Sequence, residues 1–166
     1  ENGYIDAFHE IKYAVACPKH KVRTLSSCPG CHKSLSWHRP GLTKCKCGAD
    51  FAQLNSASID EPEVLALLGV LYAKLMKQPL NQEQLSLVGF PKEAMEHVSI
   101  QTLLSVIYRF GLFNGKQVDS AYVDMAAIET TAKVFSDRPN RFYDYLEDNH
   151  APSANLDRRR QRLTSR

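Results

Sequence analysis

The sequence lacks an apolar run that could cross a membrane. The longest such run, from Val64 to Ala73, has ten residues, whereas a transmembrane helix needs about 20. No positively charged leader followed by an apolar stretch opens the chain, so we expect neither a membrane protein nor a secreted one. Because residue 1 is Glu rather than Met, we expect a piece of a longer protein, with a motif cut at its left edge.

Cysteine is absent from the 119 residues between positions 48 and 166, and all five cysteines lie between positions 17 and 47. A disulfide framework would distribute its cysteines more widely and would use an even number of them. Close clustering in a chain without a secretion signal favours metal ligation in a reducing compartment.

Acidic residues are also missing from residues 17–47, which carry seven Lys and Arg side chains and no carboxylate. The net charge of the whole chain is only +3, so the local imbalance is the informative feature. It makes this segment a candidate for contact with phosphate, although a solvated surface would account for it equally well. The candidate nucleic-acid-binding residues are Lys19, Lys21, Arg23, Lys33, Arg39, Lys44 and Lys46.

Composition divides the chain into three parts. Residues 1–54 form a predicted zinc-ribbon head of short β-hairpins. Tyr13 to Cys17 is one predicted strand, and a predicted hairpin lies between Cys31 and Cys45. Residues 55–150 form a predicted all-α body, and residues 151–166 form a basic, Arg-rich tail. We therefore expect an α-rich protein with a small metal-stapled head.

The sequence of the body contains signals for the beginning and the end of six helices. Asp60 and Pro62 precede an apolar helix over 64–78, Asn81 caps a helix to Val88, and Pro91 begins another to His97. Ser99 caps a longer helix that ends near Gly111 or Gly115, and two more follow over 121–135 and from Pro139. The second, third and fourth helices could form a helix-turn-helix, but three amphipathic helices in succession resemble that motif by default.

Two cysteine pairs have the spacing of a metal site. Cys28 and Cys31 enclose two residues, thirteen residues follow, and Cys45 and Cys47 enclose one. Four thiolates suit tetrahedral Zn²⁺, and a site filled by four protein ligands is structural rather than catalytic. An iron–sulfur site or unligated thiols are the alternatives. Such a small head buries too little apolar surface to fold without a staple.

Cys17 and His20 form a third pair with ligand spacing but no partner pair after it. They are either half of a second zinc site or an ordinary thiol beside a surface imidazole. If they are ligands, the missing half would lie upstream of Glu1, with His9 and His32 as substitutes. The chain shows no H-x-E with P-C-x-x-C, no Walker loop, no G-x-S-x-G and no H-E-x-x-H, so we expect no enzyme.

The order of these motifs resembles the double zinc-binding segment of the TniQ/TnsD family. The resemblance rests on Cys17-Pro-Lys-His20, Leu25-Ser-Ser-Cys28-Pro-Gly-Cys31, Leu35 to Trp37, and the run Arg39 to Asp50. It extends to Ala127 to Leu146, where Arg138 stands at a position at which the family tends to have Trp. The family's segment usually begins with a CPxC pair, which would complete the first zinc site together with Cys17 and His20.

The resemblance implies a protein that selects the target site for bacterial cut-and-paste transposition. Such proteins bind an attachment site on DNA or join an RNA-guided effector complex, and they recruit the AAA+ regulator TnsC. The location that the resemblance implies is the bacterial cytoplasm, in association with the nucleoid. The sequence leaves a homodimer open. The alternative is a zinc ribbon that contacts only proteins, with its basic surface against an acidic partner.

Overall fold

The computed structural model describes residues 7–35, 40–52, 54–55, 57–113, 120–137 and 140–150. Within them, a 3₁₀ turn at Ala7–Glu10 leads into a short antiparallel hairpin, and six α-helices follow. None of these helices is both long and apolar enough to span a bilayer. The elements are β1 (Ala16–Cys17), β2 (Val22–Arg23), α1 (Pro62–Leu75), α2 (Gln82–Leu87), α3 (Lys92–His97), α4 (Ile100–Phe113), α5 (Ser120–Ser136) and α6 (Asn140–His150).

Two of the predicted caps begin helices as expected. The Asn81 side chain accepts hydrogen bonds from the backbone N–H of Glu83 (2.8 Å) and Gln84 (3.3 Å) at the start of α2. The Ser99 hydroxyl accepts one from the Thr102 N–H at 3.1 Å at the start of α4. These bonds satisfy backbone donors that have no partner inside the helix.

The start of α1 differs from the prediction. Glu61, not Asp60, occupies the capping position, and no side chain caps the helix. Pro62 takes the first helical position, where its missing N–H costs no hydrogen bond and its fixed φ suits the helix.

Helix α1 is the centre of the main core, as its nearly continuous apolar sequence predicts. It packs against α2, α4 and α5. Its fully buried side chains include Leu67, Leu68 and Leu71, and α5 contributes Ile128. The length and apolarity of α1 therefore determine where the other helices dock.

Described residues of the head from Phe8 to Ala16 belong to the same core. Phe8, Tyr13, Ala14 and Ala16 are buried in it, and the ring of Phe8 lies 5.3 Å from that of Tyr72 on α1. The core thus crosses the predicted boundary at residue 54. Of the described residues between 17 and 58, by contrast, none is a buried member of this core, so the described part of the segment that carries the cysteine pairs adds little to the apolar packing of the main core.

A second, smaller cluster attaches α6. Phe110, Val134 and Phe135 are buried there, with Phe142 and Tyr145 packed against them. The Tyr145 hydroxyl donates a hydrogen bond to the Phe110 carbonyl at 3.3 Å. Phe135 and Phe142 belong to the stretch on which the family resemblance rests, whereas Arg138 and Pro139 lie outside the described residues.

The β-structure is less extensive than predicted. The expected strand from Tyr13 to Cys17 is reduced to β1, which pairs with β2 through Ala16↔Arg23 and Cys17↔Val22. Around the two cysteine pairs, the described residues form isolated bridges, Ser27↔Ser34, Gly41↔Lys44 and Lys44↔Asp50, rather than a ladder. Residues 36–39, in the middle of the predicted hairpin, lie outside the described part.

Candidate metal centre

The first cysteine pair sits in a tight backbone turn. The His32 N–H donates to the Cys28 carbonyl at 2.7 Å, and His32 has a φ of 57°, a left-handed conformation that non-glycine residues adopt rarely. Below the turn, the Cys28 N–H bonds to the Lys33 carbonyl and the Leu35 N–H to the Ser26 carbonyl, both at 2.9 Å. The turn and its base hold the thiols of Cys28 and Cys31 on the same side.

The second pair forms a similar turn with one residue fewer. The Gly48 N–H donates to the Cys45 carbonyl at 3.0 Å, and the Cys45 N–H donates to the Ala49 carbonyl at 2.9 Å. Gly48 has a φ of 91°, which glycine adopts without steric cost. A left-handed residue directly after the pair therefore closes the shorter turn as it closes the longer one.

The two turns bring the four thiols together. The Sγ atoms of Cys28 and Cys47 lie 3.6 Å apart, those of Cys31 and Cys45 lie 3.8 Å apart, and all four lie within 4.8 Å of one another. A tetrahedral Zn²⁺ with Zn–S distances of about 2.3 Å separates its sulfurs by about 3.8 Å. The four cysteines are thus close enough to hold a metal ion.

The thiols are free rather than paired in disulfides. Their separations far exceed the S–S bond length of about 2.05 Å. Cys28 is buried, Cys31 and Cys45 are half-buried, and Cys47 is exposed. The site therefore lies at the surface of the head, and the Cys28 thiol is its buried member.

The cluster makes two of its thiols differ in acidity. Burial acts to raise the pKa of Cys28, but hydrogen bonds from the backbone of Cys31 and Gly30 and from the neighbouring thiols lower it to about 7. For Cys47, a backbone hydrogen bond at Ala49 lowers the pKa, while the other three thiols outweigh it and raise the pKa to about 11. One thiolate is thus stabilised by donors from the others, as expected where several thiols share one site.

Cys17 and His20 also lie together, at the turn of the β1–β2 hairpin. The Cys17 Sγ is 3.3 Å from the His20 Nδ1. The Lys21 N–H donates to the Cys17 carbonyl at 2.8 Å, and Lys21 has a φ of 55°. The backbone therefore repeats the turn from Cys28 to His32, a likeness that the shared C-P-x-[CH] spacing could have indicated. Neither His9 nor His32 joins this pair in a group of three or more ligands among the described residues.

Most of the predicted nucleic-acid-binding residues are exposed on or beside these turns. Lys21, Arg23, Lys33, Lys44 and Lys46 have exposed side chains. Arg23 also lines a cleft of about 500 Å³ that has Glu129 of α5 on its wall. Arg39 lies outside the described residues. The exposed cations thus come from all three turns.

Lys19 is engaged with the body, a contact that sequence reasoning missed. Its Nζ donates a hydrogen bond to the Tyr72 hydroxyl at 2.7 Å and lies 4.4 Å from the centroid of the Tyr72 ring. This cation–π contact joins the turn from Cys17 to Lys21 to α1. The two residues are 53 positions apart, and no local pattern signals such a pairing.

Comparisons of the chain with protein-family models, with curated proteins and with solved structures find no match.

Proposed function

We propose that this chain is a zinc-dependent DNA-binding or adaptor protein that selects the target site for transposition, as its resemblance to the TniQ/TnsD family implies. The observation that carries the zinc part is the four-thiol group, whose separations match those around a single tetrahedral ion. An iron–sulfur cluster would need room for several ions between the sulfurs, and four thiols within 4.8 Å of one another suit one ion. The ion is structural, because protein ligands fill all four positions.

Cys17 and His20 would supply two ligands of a second zinc site. Support comes from their contact at 3.3 Å and from the backbone turn that they share with Cys28 and Cys31. The remaining two ligands would have to come from residues other than those that the structure describes.

DNA binding is supported by the charge of the turns. Lys21, Arg23, Lys44 and Lys46 are exposed and belong to a segment without a carboxylate. Phosphate contacts of this kind orient a protein on the duplex without reading its sequence. The proposed partners are DNA, a AAA+ regulator similar to TnsC and, in one branch of the family, an RNA-guided effector complex; a homodimer stays open.

The test is the affinity of the zinc-loaded chain for duplex DNA at several salt concentrations. We expect the affinity to fall steeply as salt rises, because each neutralised phosphate contributes about 0.9 to the slope of log K against log salt. Reversing the charge of Lys21, Arg23, Lys44 and Lys46 together should lower both the affinity and that slope.

The matched control reverses four exposed cations of the helical body, Lys77, Lys92, Lys133 and Arg141, so that both variants change the net charge equally. We expect this control to bind DNA nearly as well as the wild-type chain. If the four-residue reversal leaves binding unchanged, or if the control loses as much affinity, the turns are not the DNA-binding surface.

The second candidate function is a zinc ribbon that contacts only proteins. It is favoured by exposed leucines around the cysteine turns: Leu25 is 46% exposed, Leu42 47% and Leu54 39%. An acidic partner with apolar side chains would suit these leucines and the neighbouring lysines. Under this alternative the chain does not bind duplex DNA, and Leu42→Ser weakens complex formation with the partner regulator.

A further inference from the structure

The four thiols of the candidate metal centre differ in their access to solvent. Cys28 is buried, Cys31 and Cys45 are half-buried, and Cys47 is exposed. Gly48 follows Cys47 without a side chain that could cover it, and a Cβ atom built on Gly48 would have no neighbour within 4 Å. A small molecule in the solvent therefore reaches the cluster at Cys47.

Gly30 leaves a second opening, beside the sulfurs of Cys28 and Cys47. A Cβ atom built on Gly30 would lie 3.8 Å from each of these two sulfurs and 3.3 Å from the Cβ of Ala49. Gly30 is exposed, so no methyl group stands between this edge of the cluster and the solvent. The two sulfurs are 3.6 Å apart. Access for a reagent and a neighbouring thiol are thus found at the same edge.

Access decides which of these thiols reacts when they serve as metal ligands. A thiol that coordinates Zn²⁺ is deprotonated, so all four sulfurs are then thiolates. The pKa of about 11 for the unligated Cys47 thiol therefore does not protect it. Cysteine oxidation favours exposed thiolates, and redox-sensitive cysteines commonly lie beside a second thiol that resolves the first product. Cys47 meets both conditions, with Cys28 as the second thiol.

We propose that Cys47 is a site of oxidation by hydrogen peroxide, and that Cys28 resolves the product as a disulfide between the two turns. The inference rests on the zinc site of the proposed function. The Cys47 sulfur attacks one peroxide oxygen, the O–O bond breaks, and the products are a sulfenic acid and one water. The Cys28 sulfur then attacks the sulfenic sulfur, an S–S bond forms, and the oxygen leaves as a second water. Two electrons thus pass from the two sulfurs to one peroxide, and the two protons come from the thiols or from solvent.

The disulfide removes two of the four metal ligands. Cys31 and Cys45 remain, and two thiolates do not complete a tetrahedral site. The described part of this segment adds no buried residue to the main core, so we expect zinc to leave and the turn with Lys44 and Lys46 to lose its shape. Peroxide then lowers the affinity for DNA that is proposed above.

The test treats the full zinc-loaded chain with hydrogen peroxide and follows zinc release with a chromophoric indicator. We expect zinc to leave at a rate proportional to the peroxide concentration. Samples quenched early with catalase, alkylated and digested with trypsin should contain a disulfide between Cys28 and Cys47, whereas the buried Cys17 should be alkylated as a free thiol. Trypsin separates Cys45 from Cys47 at Lys46, and fragmentation in the mass spectrometer distinguishes Cys28 from its neighbour in the same peptide.

Gly30→Ala tests access to the two sulfurs without removing a ligand. The added methyl group contacts both sulfurs and should slow zinc release about threefold or more, because thiol reactions depend on access. Gly41→Ala is the matched control, since a Cβ there has no neighbour within 4 Å, and it should release zinc at the wild-type rate. Zinc content and circular dichroism before oxidation establish that both variants are folded.

Three results would overturn the assignment. If the first disulfide joins Cys28 to Cys31, or Cys45 to Cys47, each turn oxidises by itself. If Gly30→Ala releases zinc as fast as the wild type, access at this edge does not control the reaction. If the chain holds zinc and binds DNA but keeps its zinc in excess peroxide, this inference alone fails. A chain that never holds zinc overturns the proposed function as well.

Discussion

At Cys28 and Cys47, one cluster of thiols shifts two pKa values in opposite directions. The thiol of Cys28 loses its proton near pH 7, and that of Cys47 keeps it to about pH 11. A metal ion must displace whatever protons its ligands still hold. The acidity of these two residues therefore contributes to the pH dependence of zinc affinity.

We expect the apparent zinc affinity to rise with pH by more than tenfold per unit near pH 7. At that pH Cys28 is about half protonated and Cys47 is protonated, so zinc displaces about 1.5 protons from these two thiols alone. Competition with a chromophoric chelator between pH 6 and 8, corrected for the chelator's own protonation, measures the slope. An affinity that does not change with pH would mean that the ion is not bound by these thiols.

Gly89 is a backbone position at which the turn after α2 comes close to the end of α5. It follows α2 with a φ of 63°, and a Cβ atom there would overlap the backbone carbonyl of Phe135 at the end of α5. Because Gly89 has no side chain, the chain can leave α2 and pass directly against α5.

Substitution of Gly89 by Ala should lower the free energy of unfolding by about 1–3 kcal/mol, because it adds left-handed strain and a contact with a backbone atom that cannot move aside. Gly41→Ala is the control, since a Cβ at Gly41 has no neighbour within 4 Å. Urea denaturation of both variants checks this. Equal stabilities for the two would show that the turn at Gly89 can relax.

The sequence was sufficient for elements whose signals are local. Asn81 and Ser99 cap α2 and α4 as predicted, because a cap depends on hydrogen bonds to backbone only two or three residues away. The pairing of β1 with β2 is also local, and the C-P-x-[CH] spacing could have indicated the turn that joins them. The contact between Lys19 and Tyr72 was not predictable, because it depends on where the chain returns in space. The four-thiol group was predictable from spacing alone, since two close pairs can enclose one ion wherever the intervening residues run.

On the scale of the whole molecule, the turn at Cys17 joins the head to the helical core. The turn at Cys17 reaches α1 through Lys19 and Tyr72, and Tyr72 also packs against Phe8. The remaining cysteine turns contribute no buried residue to the main core. The contact between Lys19 and Tyr72 thus helps to hold the turn at Cys17 against α1.

The hydrogen bond between Lys19 and the Tyr72 hydroxyl should show a coupling energy of about 1 kcal/mol in a double-mutant cycle of Lys19→Met and Tyr72→Phe. Unfolding of the zinc-loaded chain by urea supplies the four stabilities. Lys133, which is exposed on α5, provides the control cycle, in which Lys133→Met and Tyr72→Phe should be additive. Additivity in the first cycle as well would mean that the hydrogen bond from Lys19 to the Tyr72 hydroxyl does not stabilise the fold.

The zinc content of the purified chain and of two serine variants tests the central claim most directly. We expect elemental analysis to find one zinc ion per chain in the wild type, the same amount in Cys17→Ser, and none in Cys28→Ser, whose head should also unfold. A wild-type chain without bound metal, or a Cys28→Ser variant that keeps its zinc and a folded head, would contradict the four-thiol site.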